Sequence, residues 1–438
     1  MRLGRFVLTL FLALVPFMGV ARPSDTGAAT DQARTCTEFT GDYARIMSAC
    51  RVALDRPDIS DRTRQDLMDG LAWAHYYLND IDGARGVFQQ ILTRYPNSED
   101  GLTGLAWLAY DGDSYDQAAE LFARAMDVSP NAEVLAGYGA ARYMARLDPL
   151  DAALARIDTA LTIDPEYIWA LRRKGWFLEE AGRLAEAEAA FRRAIDVQPD
   201  DAASLYGLSY VLGRSGKWAQ ALPYVNRALE ERPDYLAALS RRSLVLFNLG
   251  RLGMALRDAD RMIAADPGWS EGYVRKARAL FRLRRNDDAV AALAAGDKAV
   301  GYNSFLLYWY ARMLVDTGHS VEALDQIDRI DARGDADFHD VLLQTRIALV
   351  MGNTVLARQA IDRSLGFRPT DKWALYYATL VLVAEGRYDE AEVRFDAALR
   401  AGLSKEKLPD FIKALLGRNE HARAVKLRDR YVSQASGG

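Results

Sequence analysis

The chain has 438 residues, of which 50% are hydrophobic and 26% are charged, a composition typical of soluble folded proteins rather than disordered ones. Lysine and arginine total 56 and aspartate and glutamate total 60, so the net charge is −4. This balance argues against nucleic acid as the main partner, because phosphate binding needs a basic surplus on one face.

The first 21 residues have the layout of a secretory signal peptide. Arg2 and Arg5 form a basic start, an apolar stretch covers residues 6–20, and small residues occupy positions 19 and 21. The apolar stretch is shorter than the roughly 20 residues that a membrane span needs. We therefore expect cleavage near Ala21 and a periplasmic mature chain without a membrane span. An uncleaved anchor is the alternative.

Two cysteines, Cys36 and Cys50, follow near the start of the mature chain. A pair with none left over suits an oxidising compartment. In one continuous helix the two would lie about 21 Å apart and could not bond. A break at residues 40–42 lets an extended Cys36–Thr40 segment fold back along a helix over residues 42–54. We expect a disulfide that staples this segment, and two unpaired buried thiols are the alternative.

An internal period of 34 residues runs through the rest of the chain. Six prolines show it, with one gap of 35: Pro96, Pro130, Pro165, Pro199, Pro233 and Pro267. An alanine recurs in the same register in ten units: Ala84, Ala118, Ala153, Ala187, Ala221, Ala255, Ala289, Ala323, Ala357 and Ala391. A small residue precedes each alanine by about twelve positions. Such self-similarity indicates a repeat architecture.

Each unit is predicted to form two amphipathic helices separated by a turn. In the fourth unit the helices cover residues 168–181 and 184–197, with Gly182-Arg183 between them. Small residues on both helices let the two axes approach to about 8–9 Å, and Phe191 fills the layer around them. One hairpin cannot bury its own apolar face, so successive units must stack.

The spacing of these residues resembles that of tetratricopeptide-repeat proteins. The fourth unit carries the family's pattern at Leu171, Gly175, Ala187, Phe191, Ala194 and Pro199. The resemblance implies an all-α fold, a right-handed α-solenoid of about ten helix-turn-helix units. Together with the signal-peptide layout, it divides the chain into a signal peptide (1–21), an N-terminal cap with the cysteine pair (22–64), the solenoid (65–405) and C-terminal capping helices (406–438). The cysteine-bearing segment also resembles the leader segments of secreted bacterial members of the family.

The sequence offers no catalytic or metal-binding motif. The four histidines, His75, His319, His339 and His421, are widely separated and have no partner at metal-ligand spacing. The segment 80–83 resembles the start of a calcium loop but has Gln89 where an acidic twelfth ligand is needed. We therefore expect no catalytic residues, no metal and no cofactor.

If the family's geometry applies, the first helix of each unit lines a concave groove, with its second, fifth and ninth residues facing inward. These positions hold Trp73, Trp107, Trp169, Arg172, Trp176, Tyr206, Tyr210, Arg278, Phe305, Tyr308, Arg312, His339, Arg346, Trp373 and Tyr376. Aromatic residues and arginine supply most binding energy at protein interfaces. Packing between units is the alternative role for the aromatics.

Charge is predicted to vary along the groove. Asp66 and Asp69 make the first unit acidic, whereas Arg278, Arg312 and Arg346 come from three successive units and form a basic ladder. Arginines so placed can fork onto the carboxylates of a partner, or pair with acidic residues of adjacent helices.

These observations predict a non-catalytic periplasmic scaffold or adaptor that binds protein or peptide partners in its groove. A cell-envelope assembly or polysaccharide-export factor that binds glycan or peptidoglycan is the second hypothesis, and an unrecognised hydrolase is the third.

Overall fold

A computed structural model describes residues 31–38 and 41–433 of the chain. The expected signal peptide and its cleavage site lie outside these residues. Every regular element in the described residues is a helix. None of the described helices combines the length and apolar character that crossing a membrane requires.

The described residues form two compact units that divide between Pro233 and Asp234, called below the N-terminal and the C-terminal unit. The described helices of the N-terminal unit are α1 Asp31–Thr37, α2 Tyr43–Leu54, α3 Asp61–Tyr77, α4 Ile81–Arg94, α5 Glu99–Asp111, α6 Tyr115–Val128, α7 Ala132–Met144, α8 Leu150–Ile163, α9 Ile168–Glu180, α10 Leu184–Val197, α11 Ala202–Arg214 and α12 Trp218–Glu231.

The C-terminal unit continues the same alternation. Its described α-helices are α13 Leu236–Asn248, α14 Leu252–Ala265, α15 Ser270–Arg282, α16 Asn286–Val300, α17 Ser304–Asp316, α18 Ser320–Asp331, α19 Phe338–Val350, α20 Thr354–Phe367, α21 Lys372–Ala384, α22 Tyr388–Arg400, α23 Leu408–Leu416 and α24 His421–Ser433, with a short 3₁₀ turn at Lys405–Lys407.

Consecutive helices pack as hairpins throughout each unit, from α3/α4 to α21/α22, and each hairpin packs on its neighbour within the unit. The predicted all-α array of helix-turn-helix units is thereby confirmed; the handedness of the array stays a prediction. In the fourth unit α9 ends one residue before the predicted boundary, since Ala181 forms its C-cap, and α10 has the predicted bounds.

The repeated small residues lie where the helices of a hairpin touch. All ten alanines of the register are fully buried. Phe191 is also fully buried, and it sits between Gly175 and Gly207 of two successive first helices. A Cβ atom at Gly175 would lie 2.7 Å from the Phe191 ring, closer than packed carbon atoms approach. The small residues therefore make the room that the phenylalanine fills.

The turns inside the hairpins require a left-handed residue. Gly182 has φ +75°, and Gly216, Gly250, Gly318 and Gly386 have similarly positive values. Glycine adopts that conformation without steric cost, which explains why it recurs at these turns.

The N-terminal end is stapled by a disulfide between Cys36 and Cys50, with a Cα–Cα distance of 4.8 Å. Helix α2 begins after Asp42, as predicted, and the Asp42 side chain accepts a hydrogen bond from the Arg45 amide. The extended segment expected from Cys36 onward is wrong over its described part, because Cys36 lies on the last turn of α1. A helical Cys36 can be fully buried against Gly70 of α3, which leaves space for its backbone carbonyl.

Helices α23 and α24 follow the last hairpin. Phe411 and Leu415 of α23 and Leu427 of α24 are buried in one cluster with Phe395, and the Phe395 and Phe411 rings lie 4.8 Å apart. Their positions fit the two helices predicted there, and the apolar face of the last hairpin is covered.

Candidate functional site

The inner face of each unit is formed by its first helices. In the N-terminal unit α3, α5, α7, α9 and α11 contact one another in succession, and in the C-terminal unit α13, α15, α17, α19 and α21 do the same. Comparable contacts are lacking between successive second helices of the described chain. Each stack is therefore tighter on the side of the first helices, which makes that side concave.

Aromatic side chains form two clusters on the inner face of the N-terminal unit. Trp73 packs edge-on against Tyr76 at 5.4 Å and tilted against Tyr77 at 6.3 Å. Trp107 packs against Trp169, with ring centroids 4.6 Å apart. The three predicted tryptophans are buried, so they act at least as packing between hairpins.

Carboxylates lie among these rings. Trp107 Nε1 donates to Glu133 Oε1 at 2.6 Å. Gln65 Nε2 donates to Asp100 Oδ2 at 3.0 Å. These contacts place acids from α5 and α7 beside the aromatic clusters.

Two more carboxylates complete this group. Asn131 Nδ2 donates to Glu99 Oε1 at 3.1 Å. Oδ1 of Asp69 is enclosed and has no hydrogen-bond partner. We call Asp69, Glu99, Asp100 and Glu133 the acidic recess.

The pKa values of the acidic recess reflect burial and mutual repulsion. Burial raises the pKa of Glu133 to about 7, and the nearby Glu99 and Asp100 charges act in the same direction. Burial also raises the pKa of Asp69 well above its usual range, with Asp100 and Glu133 as the next causes. Such shifts mark groups that are held in a poorly hydrated site with too few compensating contacts.

Two tyrosine hydroxyls near the acidic recess are also unsatisfied. Tyr167 is 9% exposed and Tyr110 is 5% exposed, and neither hydroxyl has a hydrogen-bond partner. The Tyr167 ring stacks beside Trp169 at 6.1 Å, and burial followed by the Glu133 charge raises its pKa. Buried polar atoms are normally paired, so these two hydroxyls are exceptions to that rule.

Two arginines of α9 differ in their surroundings. Arg172, predicted to face the groove, is buried and pairs with Asp201 at 2.9 Å. Arg173 was not predicted, and its guanidinium lies 5.1 Å above the Trp169 ring and 5.2 Å above Tyr110.

The last predicted residues of the N-terminal unit form a half-buried aromatic cluster. Trp176 lies 5.8 Å from Tyr206 and 5.4 Å from Tyr210. Trp176 also packs edge-on against Phe191 at 5.1 Å. The cluster connects the inner face to the packed layer beneath it.

The inner face of the C-terminal unit is basic. The Arg278 guanidinium lies 5.0 Å from the Phe247 ring and 4.7 Å from Trp309. Arg312 lies 5.1 Å from the same Trp309 ring. Burial, with the neighbouring Arg275 charge, lowers the pKa of Arg278 to about 10. Two of the three predicted ladder arginines thus share one tryptophan.

The third ladder residue has an acidic partner. Arg346 pairs with Asp316 of the preceding first helix, which is the alternative that the sequence left open for these arginines. An arginine already paired inside the unit binds a partner's carboxylate only in competition with that pair.

Several predicted residues of the C-terminal unit remain accessible. Phe305 is 43% and Trp373 is 38% exposed, and His339 is also exposed. Tyr308 is half-buried against Trp309, with centroids 5.8 Å apart. Tyr376 is buried under Trp373. The exposed rings are positioned to contact a partner.

The residues that the sequence analysis missed include Asp100 and Arg173, and three neighbours of predicted inward positions: Glu99, Glu133 and Trp309. Glu99 and Glu133 are 34 residues apart and occur next to the predicted second position of their units. Trp309 follows the predicted Tyr308. A wider window around each inward position would have included all three, because a helix face is broader than one residue per turn.

A metal site is not evident. Within residues 31–38 and 41–433, no group of three histidine, cysteine, aspartate or glutamate side chains is arranged to hold a metal ion. His75 is buried and its Nδ1 lies 2.7 Å from Asp80, which also caps α4 through the Gly83 amide. The segment 80–83 therefore serves as a helix start.

Comparisons with known proteins agree with this architecture. A tetratricopeptide-repeat family model matches residues 70–133 and 206–268, and a second such model matches residues 150–209. A search of curated protein sequences gives no significant match.

Solved structures with similar folds include yeast Tom70, with a TM-score of 0.50 and 14% identity over 89% of this chain and 93% of that one. A tetratricopeptide-repeat protein from Parabacteroides merdae gives 0.47 and 15% identity over 59% and 96%. The human IFIT1 dimer with m7Gppp-AAAA gives 0.48 and 16% identity over 83% and 87%. At these identities the likeness concerns the fold alone.

Proposed function

Because the chain is a tetratricopeptide-repeat protein, we propose that it is a non-catalytic scaffold whose two inner faces bind protein or peptide partners. The observation that carries this proposal is the accessible aromatic and arginine surface of the C-terminal unit, with Phe305 43% and Trp373 38% exposed. Large rings beside guanidinium groups are the side chains that dominate binding at protein interfaces.

The size of the inner faces also suits a protein partner. A typical non-obligate contact buries about 1,600 Å² in total, and each unit presents a row of five stacked first helices.

We place this scaffold in the periplasm. The signal-peptide layout of residues 1–21 supports this location. So does the pairing of both cysteines, because disulfides persist in oxidising compartments. Detection of the mature chain in a periplasmic extract, with its N-terminus at residue 22, would test the location.

Site-specific photocrosslinking tests the scaffold proposal. A photoreactive amino acid at Phe305 or Trp373 reports on the inner face of the C-terminal unit. The same group at Val321 or Val393, exposed on second helices, serves as the matched control. We expect discrete crosslinked proteins from the inner positions in native envelopes and none from the controls. Equal crosslinking from both sides would contradict the proposal.

A glycan partner is the second candidate, favoured by the exposed Trp373 ring, which could stack on a sugar. Binding of the purified chain to a glycan array or to peptidoglycan, lost in Trp373→Ala, would favour envelope assembly or polysaccharide export. Inner-face protein crosslinks without glycan binding would favour the scaffold.

A further inference from the structure

We propose that the acidic recess of the N-terminal unit binds the ammonium or guanidinium group of a lysine or arginine side chain in a basic segment of a partner protein. This inference rests on the proposed scaffold function and names the chemistry of the partner at one of the two inner faces.

The first argument is unsatisfied polarity. The enclosed Oδ1 of Asp69 and the Tyr167 hydroxyl have no hydrogen-bond partner. Both are oxygen atoms that can accept a hydrogen bond, and Tyr167 is 9% exposed. A lysine or arginine head carries several donors and no acceptor. It therefore fits the acceptor positions left open at the Asp69 carboxylate and at the Tyr167 hydroxyl oxygen, whose own O–H still needs an acceptor.

The second argument is charge. Four carboxylates from α3, α5 and α7 meet here, and neutral groups donate to three of them: Gln65 to Asp100, Asn131 to Glu99, and Trp107 to Glu133. The donors to Asp100 and Glu133 are neutral, so they hold these two acids in place without adding a positive charge. Enclosing like charges is costly unless a cation compensates them.

The third argument is the aromatic lining. Trp107, Trp169 and Tyr167 form one continuous wall beside Glu133. Aromatic faces attract organic cations through their quadrupole. The Arg173 guanidinium of the chain itself lies 5.1 Å from the Trp169 ring, a contact of the kind that a partner's cation would make with this wall.

The arrangement favours an organic cation over a metal ion. Nowhere in the described part of the chain do three acidic, histidine or cysteine side chains converge as metal ligands would. Carboxylates spread over three helices suit separate contacts along a basic segment. Metal coordination needs oxygen atoms within about 2.5 Å of one point.

The test uses the full chain and labelled oligo-lysine and oligo-arginine peptides, with an oligo-glutamate peptide as the opposite charge. Fluorescence anisotropy at about pH 8 measures affinity while Glu133 is ionised. We expect the basic peptides to bind, and the Asp69→Asn/Glu133→Gln double variant to weaken binding at least about tenfold.

A matched control removes the same charge elsewhere in the N-terminal unit. Glu120 and Asp127 are exposed on α6, a second helix, so Glu120→Gln/Asp127→Asn should leave affinity within about twofold. An equal loss of peptide affinity in both double variants would mean that only net charge matters, and it would overturn the proposed binding at the acidic recess. Thermal melting checks folding, and we expect the recess variant to melt no lower than the wild type, because it loses repelling buried charges.

The source of the cation is tested with free arginine and spermidine as competitors. Weak competition by either molecule supports a protein segment, whose several basic residues act together. If a free amine binds as tightly as the peptides, the recess is a small-molecule site and the partner-segment assignment fails.

Crosslinking from Phe305 and Trp373 separates failure of this inference from failure of the scaffold. Both positions lie in the C-terminal unit. Crosslinks without basic-peptide binding would overturn the recess alone, whereas loss of both would also overturn the proposed function.

Discussion

The two units share one packing scheme and differ in the charge of their inner faces. In the N-terminal unit the aromatic rings surround carboxylates such as Glu133, whereas in the C-terminal unit they carry the guanidinium groups of Arg278 and Arg312. The repeated alanines are buried identically in both units. The repeat therefore dictates how hairpins stack and leaves the inward residues free to diverge.

The two faces also differ in how well their charges are satisfied. The arginines of the C-terminal unit stack on Trp309 or pair with Asp316. In the N-terminal unit, Asp69 keeps an enclosed oxygen without a partner. We infer that the acidic face is held at a greater cost in stability, which is expected of binding sites more than of structural surfaces.

The largest expected effect comes from disrupting the packing scheme that both units share. Ala187→Arg forces a long charged side chain into a fully buried hairpin contact, and we expect a loss of about 3 kcal/mol or more in the free energy of unfolding. Chemical denaturation measures it. The neighbouring Ala185 is exposed, so Ala185→Arg should leave the denaturation midpoint nearly unchanged. An unaffected Ala187→Arg variant would contradict the packing scheme.

The disulfide is the next largest difference between the units, since both cysteines of the chain lie in the N-terminal one. The two cysteines are separated by 14 positions in sequence. Reducing a disulfide that closes a loop of this size should lower the free energy of unfolding by roughly 3 kcal/mol in the loop-entropy model. Hydrogen exchange with and without reductant checks this. Amides of α2 and α3 should lose protection, and amides of α21 serve as the internal control. Uniform loss across both units would contradict a local staple.

The hairpin array was predictable because packing leaves a periodic record in the sequence. Ala187 and Phe191 can be found from spacing alone, since their burial recurs in each unit. The helical placement of Cys36 was not predictable, because it depends on α1 packing against Gly70 far along the chain. Local signals at residues 40–42 favoured an extended approach instead.

The candidate site was predictable in its residue types and less so in its contacts. Asp69 and the arginines of the basic ladder indicated opposite charges at two places. The pairing of Arg346 with Asp316 and the enclosure of Asp69 depend on side-chain geometry between units. Repeat spacing carries no information on which charged side chains meet.

The acidic face should also show itself in the pH dependence of stability. The pKa of Glu133 is raised to about 7 in the folded chain, against roughly 4.3 when unfolded. The folded state therefore binds more protons between those values, and the unfolding free energy falls as pH rises through this window, by about 1–3 kcal/mol.

Denaturation midpoints from pH 5 to pH 8 measure this effect. Glu133→Gln should remove the part of the pH dependence of unfolding free energy that comes from Glu133. Asp340 of the C-terminal unit, whose pKa burial raises to about 7, should maintain a residual slope of the same sign. A slope that is unchanged in Glu133→Gln would remove the evidence for a strained acidic face.

The smallest expected effect comes from removing one charge from the basic inner face of the C-terminal unit. Arg312 is exposed above Trp309, so Arg312→Gln should cost less than about 1 kcal/mol of stability. Because its charge lies on the inner face proposed to bind partners, we expect the affinity for an oligo-glutamate peptide to fall about three- to tenfold. Arg394 is exposed on the second helix α22, and Arg394→Gln should leave the affinity unchanged. If both variants weaken binding of the acidic peptide equally, the peptide does not bind selectively to the inner face of the C-terminal unit. If only Arg312→Gln does, opposite charges on a common scaffold select opposite peptides.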